Sequence, residues 1–315
     1  MRRGAFVRDL LGRPQGAFGV GWLAVVVACA VVSRFWTPLD PFDTDPYSAW
    51  LTPSPAHPFG TDSVGRDIFS YVFAATGTTV VVAVASGVVA TVVGVGLAAL
   101  GSLTARWVRE SVAVLIDVLV AFPTLLIAMA LAAAFGGSLT VVVVAVGIGY
   151  GVSIARVSRS EIRRVARTDY VLAARANGLG TGAVLRRHLL PNVAPVFVVQ
   201  LSLSMATSVL AEAGLSFLGY GAPADTASWG RLLSDLQKFI GIHPGSVVWP
   251  GLAITLTVLA LNLLGDAVRD ASDPRLRSGR AGRGAAAGPT GRPTGPTGPV
   301  TPAAPSRPVA PEVVS

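Results

Sequence analysis

Long stretches without a charged side chain constrain this sequence more than any other feature. One covers residues 68–105 and another covers 118–155, and both are rich in valine, alanine and leucine. A run of about 20 apolar residues is long enough to cross the hydrocarbon core of a bilayer as an α-helix. Charged residues make up only 13% of the chain, against about 25% in soluble globular proteins. The chain is therefore predicted to be an all-α integral membrane protein.

A window of about 20 residues finds six candidate transmembrane helices. The stretch 118–155 is too long for a single helix, and the sequence FGGS at 135–138 interrupts it. Pro123 is expected to kink the third helix. The six predicted helices cover approximately residues 20–35, 75–100, 111–134, 139–156, 194–213 and 247–266.

The charges of the loops assign one orientation to these helices. Arginines at positions 2, 3, 8 and 13 precede the first helix, and eight arginines face only two acids between residues 156 and 193. The segment 36–70 is acidic instead, with five aspartates against Arg66. Basic loops are held on the cytoplasmic side of a membrane. Both termini and the loop 156–193 are therefore predicted to be cytoplasmic, and the segments 36–70 and 214–246 to lie outside.

These assignments divide the chain into four parts. Residues 1–36 form a cytoplasmic N-terminus and the first transmembrane helix, and residues 37–74 form an extracellular segment. Residues 75–270 form the main transmembrane domain, and 271–315 a cytoplasmic tail. From about residue 278 glycine, proline, alanine and threonine dominate, so the tail is expected to be disordered.

The first helix could also be a signal peptide, because basic residues precede its apolar part and the sequence VVAC ends at Cys29. However, the apolar run continues through Val32 without a cleavage site of small residues. The sequence therefore favours an uncleaved membrane anchor.

The basic loop 156–193 is predicted to contain two short helices separated by a glycine. Thr168 or Asp169 can cap the first helix, and Gly178 is placed to end it in the left-handed conformation. Thr181 can cap the second helix, which Pro191 is expected to end. An ordered element of this kind on the inner face is predicted to be a docking surface for a cytoplasmic protein.

The sequence contains no pattern that is typical of an enzyme active site. His57, His188 and His243 fall in different loops, and Cys29 is the only cysteine, so no metal centre or catalytic dyad is predicted. The only lysine, Lys238, lies on the predicted outer side, which excludes a phosphate-binding loop with its lysine. An ATP-driven process would therefore need a separate ATPase docked on the cytoplasmic loop.

The net charge of +8 has a simple explanation in a membrane protein. The arginines lie in the N-terminal segment, the loop 156–193 and the tail, next to apolar helices. Basic flanks of this kind contact anionic membrane lipid. No nucleic-acid partner is expected.

Small residues in the predicted helices indicate close contacts between them. Gly87, Gly94 and Gly101 recur every seven residues, and Gly147 and Gly151 are four apart. Close helix–helix packing is the expected explanation, with a face that slides during a conformational cycle as the alternative.

Three acids lie near the ends of predicted helices, namely Asp117, Glu212 and Asp266. Acids within a membrane are costly and often functional. An interfacial position is expected for Asp266. A proton relay is the alternative for Asp117 and Glu212, although it would need more such groups at depth.

Residues 170–195, YVLAARANGLGTGAVLRRHLLPNVAP, resemble the ATPase-docking loop of importer permeases of the ATP-binding-cassette (ABC) class. That loop contains Glu-Ala-Ala, three further residues, a glycine and a later Leu-Pro. Leu172 stands where the glutamate is usual. The residues that match are Ala173, Ala174, Gly178, Leu190 and Pro191.

Four further segments resemble the second permease subunit of importers for dipeptides, oligopeptides and nickel. They are HPFGTDSVGRDIFS at 57–70, IDVLVAFPTLLIAMAL at 116–131, EAGLSFLGYGAPADTASWGRLLSD at 212–235 and NLLGDAVRDASDPRLR at 262–277. The resemblance covers nearly the whole chain except its first dozen residues and its tail.

The resemblance implies a type I ABC importer permease fold in a prokaryotic plasma (inner) membrane. It implies a pore formed with a second homologous permease, two cytoplasmic ABC ATPase subunits and an extracellular substrate-binding (lipo)protein. ATP and Mg would be used by the ATPases, and no cofactor would be bound by this chain. Di- or oligopeptides are the expected substrates, with nickel chelates or other small solutes as the alternative. A secondary transporter is the competing class, although inverted repeats and buried charges at the midplane are not visible.

The resemblance also implies two sets of site residues. Val171, Leu172 and Leu179 would enter a groove on the ATPase, and Arg175, Arg186 and Arg187 would pair with acids around that groove. On the outer side, GTDSVGRD at 60–67 would contact the binding protein or cap the pore, with a purely structural turn as an equal alternative. The predicted docking residues are Tyr170, Val171, Leu172, Ala173, Ala174, Arg175, Gly178, Arg187, His188, Leu190 and Pro191, and the predicted outer contact residues are Gly60, Asp62, Gly65, Arg66 and Asp67.

Overall fold

Helices account for most of the protein, for which a computed structural model describes residues 10–272. The disorder expected from about residue 278 and the arginines at positions 2, 3 and 8 lie outside the described residues. A single turn of 3-10 helix covers Pro46–Ser48 and a π-helical turn covers Leu185–Leu189. The α-helices are α1 (Pro14–Val32), α2 (Ile68–Leu103), α3 (Arg106–Ala121), α4 (Thr124–Phe135), α5 (Leu139–Ala166), α6 (Asp169–Ala176), α7 (Thr181–Val184), α8 (Leu190–Phe217), α9 (Trp229–Gln237) and α10 (Val248–Ser272).

Within the described residues, five helices are long and apolar enough to cross a membrane, and a sixth span is formed if α3 and α4 count together. This agrees with the six predicted spans, but the third is not one kinked helix as expected. α3 and α4 are separate helices whose axes differ by 80°. Phe122, between them, has extended backbone angles (φ −90°, ψ 129°). A residue that precedes a proline is disfavoured in the helical region, so Pro123 breaks the helix instead of bending it.

Several of the spans are longer than the hydropathy of the sequence predicted, as α2 and α5 show. α2 begins directly after Asp67, whose carboxylate accepts a hydrogen bond from the Ser70 N–H and caps the helix. α5 continues ten residues beyond the predicted end at residue 156, so the first part of the predicted loop 156–193 is helical. Arginine, glutamate and alanine are all compatible with a helix, and neither glycine nor proline interrupts this part. Hydropathy locates the apolar part of a helix and not its ends.

The helices α2 and α5 pack closely because glycines lie at their contact. A Cβ atom added to Gly147 would be 2.6 Å from the Cβ of Val89, and one added to Gly151 would be 2.7 Å from the Cβ of Val93. Close packing is therefore confirmed for this pair of glycines. Apolar burial gives little driving force inside a bilayer, so such close van der Waals contact holds the helices together.

The three glycines of α2 that share a spacing of seven residues do not share one neighbour. An added Cβ would meet Met205 of α8 at Gly87, Ile154 of α5 at Gly94 and the side chain of Arg159 at Gly101. The stripe therefore passes from α8 to α5 along the length of α2. α2 packs against both helices, while α8 and α1 pack against α10.

Gly151→Ala is expected to lower the thermal unfolding midpoint of the detergent-purified protein. Its new Cβ would meet Val93, and overpacking of this kind costs about 1–3 kcal/mol. Gly96→Ala is the matched control, since Gly96 lies in α2 and nothing is within 4 Å of an added Cβ there. Equal midpoints for the two variants would contradict close packing at Gly151.

Candidate functional site

The cytoplasmic helix α6 ends in a turn that depends on Gly178. The N–H of Gly178 donates to the Arg175 carbonyl at 2.9 Å, and the N–H of Leu179 donates to the Ala174 carbonyl at 3.1 Å. This pair of bonds is a Schellman motif, and it needs a left-handed residue directly after the C-cap residue Asn177. Gly178 has a φ of +80°, as the sequence predicted.

The start of α6 differs in detail from the prediction. Thr168 occupies the N-cap position, but its hydroxyl donates to the carbonyl of Val165 at 2.6 Å and caps nothing. Asp169 is the first residue of the helix, where its negative charge is favourable beside the free N–H groups. The connection from α5 to α6 is therefore a tight backbone turn.

Pro191 does not end the second short helix, which corrects the prediction. An unbroken helix extends from residue 182 to residue 217 and includes α7, the π-helical turn and α8. In the π-helical turn the N–H of Leu190 donates to the carbonyl of Leu185, five residues back. Pro191 lies where the π-helical hydrogen bonds, which span five residues, are followed by the α-helical ones, which span four. Proline has no N–H to donate, and at this change of pattern its missing donor does not interrupt a regular α-helix.

A small buried core connects this element to the two long helices beside it. Ile162 and Leu179 pack against it from the α5 side and from the glycine turn. Because its members come from α5, α6, α7, the π-helical turn and α8, the cytoplasmic element is fixed to both α5 and α8. Its buried residues are Val165, Val171, Val184, Leu189 and Val193.

The predicted docking residues separate into buried and exposed sets. Val171 is completely buried in the small core, so it does not enter a groove on another protein as predicted. Leu179 is half-buried and also packs against that core. Successive residues of a helix point about 100° apart, so Val171 and Leu172 cannot share one face.

The exposed set forms the outward face of the element. Leu172 is 51% exposed, and Tyr170 is 48% exposed with its ring 6.0 Å from that of His188. Both side chains are apolar enough to contact a partner protein. The other exposed predicted residues are Ala173, Arg175, Gly178, Arg187, Leu190 and Pro191, while Ala174 and His188 are half-buried.

On the outer side, the loop at residues 60–67 is organised by the carboxylate of Asp62. Its Oδ1 accepts hydrogen bonds from the N–H groups of Val64 and Arg66, both at 2.9 Å, and its Oδ2 accepts one from Arg66 Nε at 2.7 Å. Arg66 Nη2 also donates to Asp235 of α9 at 3.3 Å. Burial is the largest single effect and would lower the pKa of Arg66, but the charge and hydrogen bond of Asp62, together with the hydrogen bond to Asp235, raise this pKa overall.

The other three residues that were predicted to make outer contacts are buried. Asp67 is 4% exposed and accepts hydrogen bonds from the Ser70 N–H and from His57 Nδ1 at 3.0 Å. Gly60 and Gly65 are buried, with φ of +76° and +80°, and Val64 is exposed. The geometry favours the structural turn over direct contact through the five predicted residues. Contact of this loop with another protein stays a prediction.

The helix α9 closes the outer side with one apolar face. Trp229, Leu232 and Leu236 follow a helical spacing and are all buried against α2 and α10. The indole Nε1 of Trp229 donates to the carbonyl of Val72 at 2.9 Å. This contact satisfies the polar atom of the largest buried side chain.

The carboxylate of Glu212 is buried near the end of α8 and organises the loop that follows. Its Oε1 accepts hydrogen bonds from Ser216 Oγ at 2.7 Å and from Ser228 Oγ at 2.8 Å. Ser216 Oγ accepts in turn from the N–H of Ala222 at 2.9 Å. Among the described residues, Oε2 has no hydrogen-bond partner. This one side chain joins α8, the loop 218–228 and the start of α9.

The three acids singled out from the sequence have different surroundings. Asp117 lies 3.5 Å from Arg156, Glu212 contacts serines, and Asp266 is exposed on α10. They lie on three different helices, and the geometry gives no support to a proton relay among them. Within residues 10–272, no group of three or more His, Cys, Asp or Glu side chains is placed to hold a metal ion.

Comparison with known proteins identifies the family. Residues 90–278 match the family described as binding-protein-dependent transport system inner membrane component. The chain belongs to this family. Its members are membrane permease subunits, and the protein is accordingly a multi-pass protein of the inner membrane.

Several curated relatives belong to the same group of permeases. The chain is 34% identical over 236 residues to the dipeptide transport system permease protein DppC of Alkalihalophilus pseudofirmus, covering 75% of this chain and 78% of that protein. It is 34% identical over 254 residues to the nickel transport system permease protein NikC of Escherichia coli K12, covering 81% and 92%. It is 37% identical over 276 residues to the glutathione transport system permease protein GsiD of Pectobacterium atrosepticum, covering 87% and 90%.

A solved structure confirms the predicted importer-permease fold. The chain is similar to a chain of the inward-facing MetNI methionine ABC transporter, with a TM-score of 0.54 and 18% identity. The similarity covers 64% of this chain and 97% of that chain. At this identity the comparison concerns the fold alone.

Glu212→Ala is expected to destabilise the outer loop, because Ser216 and Ser228 would lose their common buried acceptor. Removing such a partner costs about 1–3 kcal/mol. Glu212→Gln keeps an oxygen that can accept both bonds, so its thermal unfolding midpoint should lie closer to that of the wild type. If both variants unfold at the wild-type temperature, the network does not stabilise the protein.

Proposed function

We propose that this chain is one of two pore-forming permeases in an ATP-driven importer and that it moves short peptides inward. The observation that carries the proposal is the cytoplasmic element at α6 and Gly178. This element is fixed to α5 and α8 by a small buried core, yet it exposes Tyr170, Leu172 and Arg175. A rigid element with an exposed apolar and basic face is suited to docking another protein.

The proposed partners follow from this docking element and from the permease family of the chain. Two cytoplasmic ATPase subunits would dock on the exposed face of α6, and they would use ATP and Mg. The chain itself would hold no nucleotide or cofactor and would not be an enzyme. A second homologous permease would complete the pore, membrane lipid would surround it, and an extracellular substrate-binding (lipo)protein would deliver the solute.

Leu172 changes the chemistry of the docking contact. It occupies the position where the resembling loops have a glutamate, and its side chain is exposed. A salt bridge from this position is not available, so the contact there would be apolar. Arg175, Arg186 and Arg187 are also exposed and would supply the charged part of the interface.

The structure offers a direct path from the docking element to the outer side. The helix from residue 182 to residue 217 has 36 residues and is unbroken, which corresponds to about 54 Å of helix at 1.5 Å per residue. One end carries the π-helical turn of the docking element, and Glu212 near the other end holds the outer loop. Movement of the ATPases would therefore displace α8 and the outer loop together, as one rigid body.

Short peptides are the favoured substrates because two of the relatives are named as dipeptide and glutathione permeases. Nickel or a nickel chelate is the second candidate, because a relative of similar identity is named as a nickel permease.

Purification of the tagged chain from its native membrane in mild detergent tests the assembly. The proposal expects a second permease and ATPases with a phosphate-binding loop to be recovered with it, as identified by mass spectrometry. Recovery of the chain alone would contradict the importer and favour a secondary transporter. Uptake of a radiolabelled dipeptide and of ⁶³Ni²⁺ by native membrane vesicles then separates the two candidate substrates.

Gly178→Val is expected to reduce ATP-driven uptake strongly, while the complex still assembles. A β-branched residue in the left-handed conformation is strained by about 1–2 kcal/mol, so the turn after α6 would open. Nothing lies within 4 Å of an added Cβ at this position, so steric contact would not contribute. Uptake and ATP hydrolysis are measured together in proteoliposomes.

Gly178→Asn is the matched control for this variant. Asparagine adopts the left-handed conformation at helix ends more readily than other residues with a side chain. The control should therefore keep most of the uptake. Wild-type uptake by Gly178→Val would argue against a coupling function for the turn.

A further inference from the structure

A polar stripe follows one face of α5 through the cytoplasmic half of the helix. Ser153, Arg156, Ser160 and Arg163 are separated by three, four and three residues, which places them on one side of a helix. Ser153 is half-buried and the other three are exposed. The buried side of the same helix faces α2. The stripe is therefore available to something that the isolated chain does not contain.

Asp117 of α3 extends this stripe onto a second helix. Arg156 Nη2 lies 3.5 Å from Asp117 Oδ1, and the two side chains are 54% and 67% exposed. Ile116, the neighbour of Asp117, belongs to a buried cluster with Val152 and Ala155. Asp117 is therefore level with the turn of α5 at residues 152–156, at the cytoplasmic end of the apolar part of α5.

The cytoplasmic boundary of this region is marked by another arginine. Arg159 donates from Nε to the carbonyl of Gly101 at 3.2 Å and from Nη2 to the carbonyl of Arg109 at 3.2 Å. It therefore ties α5 to the turn between α2 and α3. Asp117 is eight residues beyond Arg109 along α3, or about 12 Å of helix toward the outer side.

Charged side chains that adjoin an apolar helical segment are costly to expose to the hydrocarbon of the lipid. Within membrane proteins such groups face the interior of a bundle or a water-filled cavity. The mutual contact of Asp117 and Arg156 leaves more than half of each side chain open. The surroundings of the pair must therefore be polar in the assembled protein.

We propose that the polar stripe of α5 and Asp117 line the cytoplasmic half of the translocation pathway, and that a zwitterionic solute replaces the Asp117–Arg156 contact as it passes. This inference rests on the transport function proposed above and specifies its substrate class. The ammonium group of the solute pairs with Asp117 and its carboxylate pairs with Arg156, so both protein charges remain compensated. Short peptides carry both groups.

The same arrangement disfavours other solutes. A solute with one charge pairs with one member of the pair and leaves the other uncompensated. A bare divalent cation is attracted by Asp117 but repelled by Arg156 and Arg163. Peptides are therefore favoured over a free metal ion by the residues of the pathway itself.

Thiol labelling tests whether the stripe faces water. Cys29 is the only cysteine, so Cys29→Ser gives a background without thiols. Ser153→Cys and Ser160→Cys are introduced into the complete transporter in inside-out vesicles and treated with a charged, membrane-impermeant methanethiosulfonate. Val144→Cys and Ile148→Cys are the controls, since both residues are exposed on a different face of α5.

The stripe variants should react about tenfold faster than the controls, because only a hydrated thiol ionises readily to the reactive thiolate. Equal, slow reaction of all four thiols would mean that the stripe lies in a dry contact. That result would overturn the assignment of the pathway, whatever the substrate is.

Charge exchange tests the solute contact. Asp117→Asn and Arg156→Gln should each lower uptake of a radiolabelled dipeptide by about tenfold, the equivalent of about 1.4 kcal/mol. The double variant Asp117→Arg with Arg156→Asp should recover most of this loss, because it keeps both charges at the same place. Size-exclusion profiles of the complexes check that every variant assembles.

Three outcomes are decisive for this second test. Wild-type uptake by both single variants would overturn the solute contact while leaving the importer intact. A double variant as impaired as the single ones would also overturn it. A wild-type transporter that moves no zwitterionic solute would overturn the substrate class here and under the proposed function, whereas thiol labelling would still decide the pathway.

Discussion

The hydrocarbon core of the bilayer requires every backbone N–H and C=O inside it to find a partner within the protein. This constraint makes the spans helical and also determines how the irregular positions are built. At the break between α3 and α4, the carbonyl of Pro123 accepts from the N–H groups of Leu126 and Ile127, so α4 begins at the residue directly after the proline. At Pro191 a π-helical turn keeps the chain helical.

Hydropathy and charge in the sequence were sufficient to predict the membrane spans, but not where the helices end. The arginines at 156–164 suggested a loop, and the structure continues α5 through them, because a helix can leave the membrane without ending. Pro123 was expected to kink a helix and Pro191 to end one. Pro123 breaks a helix and Pro191 does not, because the outcome depends on whether the preceding turn can widen. That property belongs to the packing around each proline.

For the candidate site, the sequence predicted local chemistry better than burial. The left-handed conformation of Gly178 was predicted correctly, because a glycine directly after a short helix usually ends that helix in this conformation. Val171 was assigned to the wrong face, because its burial depends on Val184 and Val193, which lie on other helices. The buried acids were also beyond prediction. Glu212 organises the outer loop only because Ser228 donates a hydrogen bond to it. Arg66, which donates to Asp62, also donates to Asp235 of α9. Such contacts exist only once the helices have packed.

The position of the buried polar groups suggests why α8 is the helix that joins the two sides of the membrane. At its cytoplasmic end the helix is held by apolar contacts, through Leu189 and Val193, which tie it to the docking element and to α5. Near its outer end Ala211 and Leu215 pack in an apolar cluster, and Glu212 accepts hydrogen bonds from Ser216 and Ser228. A helix that is tied to its neighbours at both ends transmits a tilt instead of absorbing it. A tilt of α8 would therefore move the outer loop as one piece, while α5, packed closely against α2, keeps the polar stripe in place.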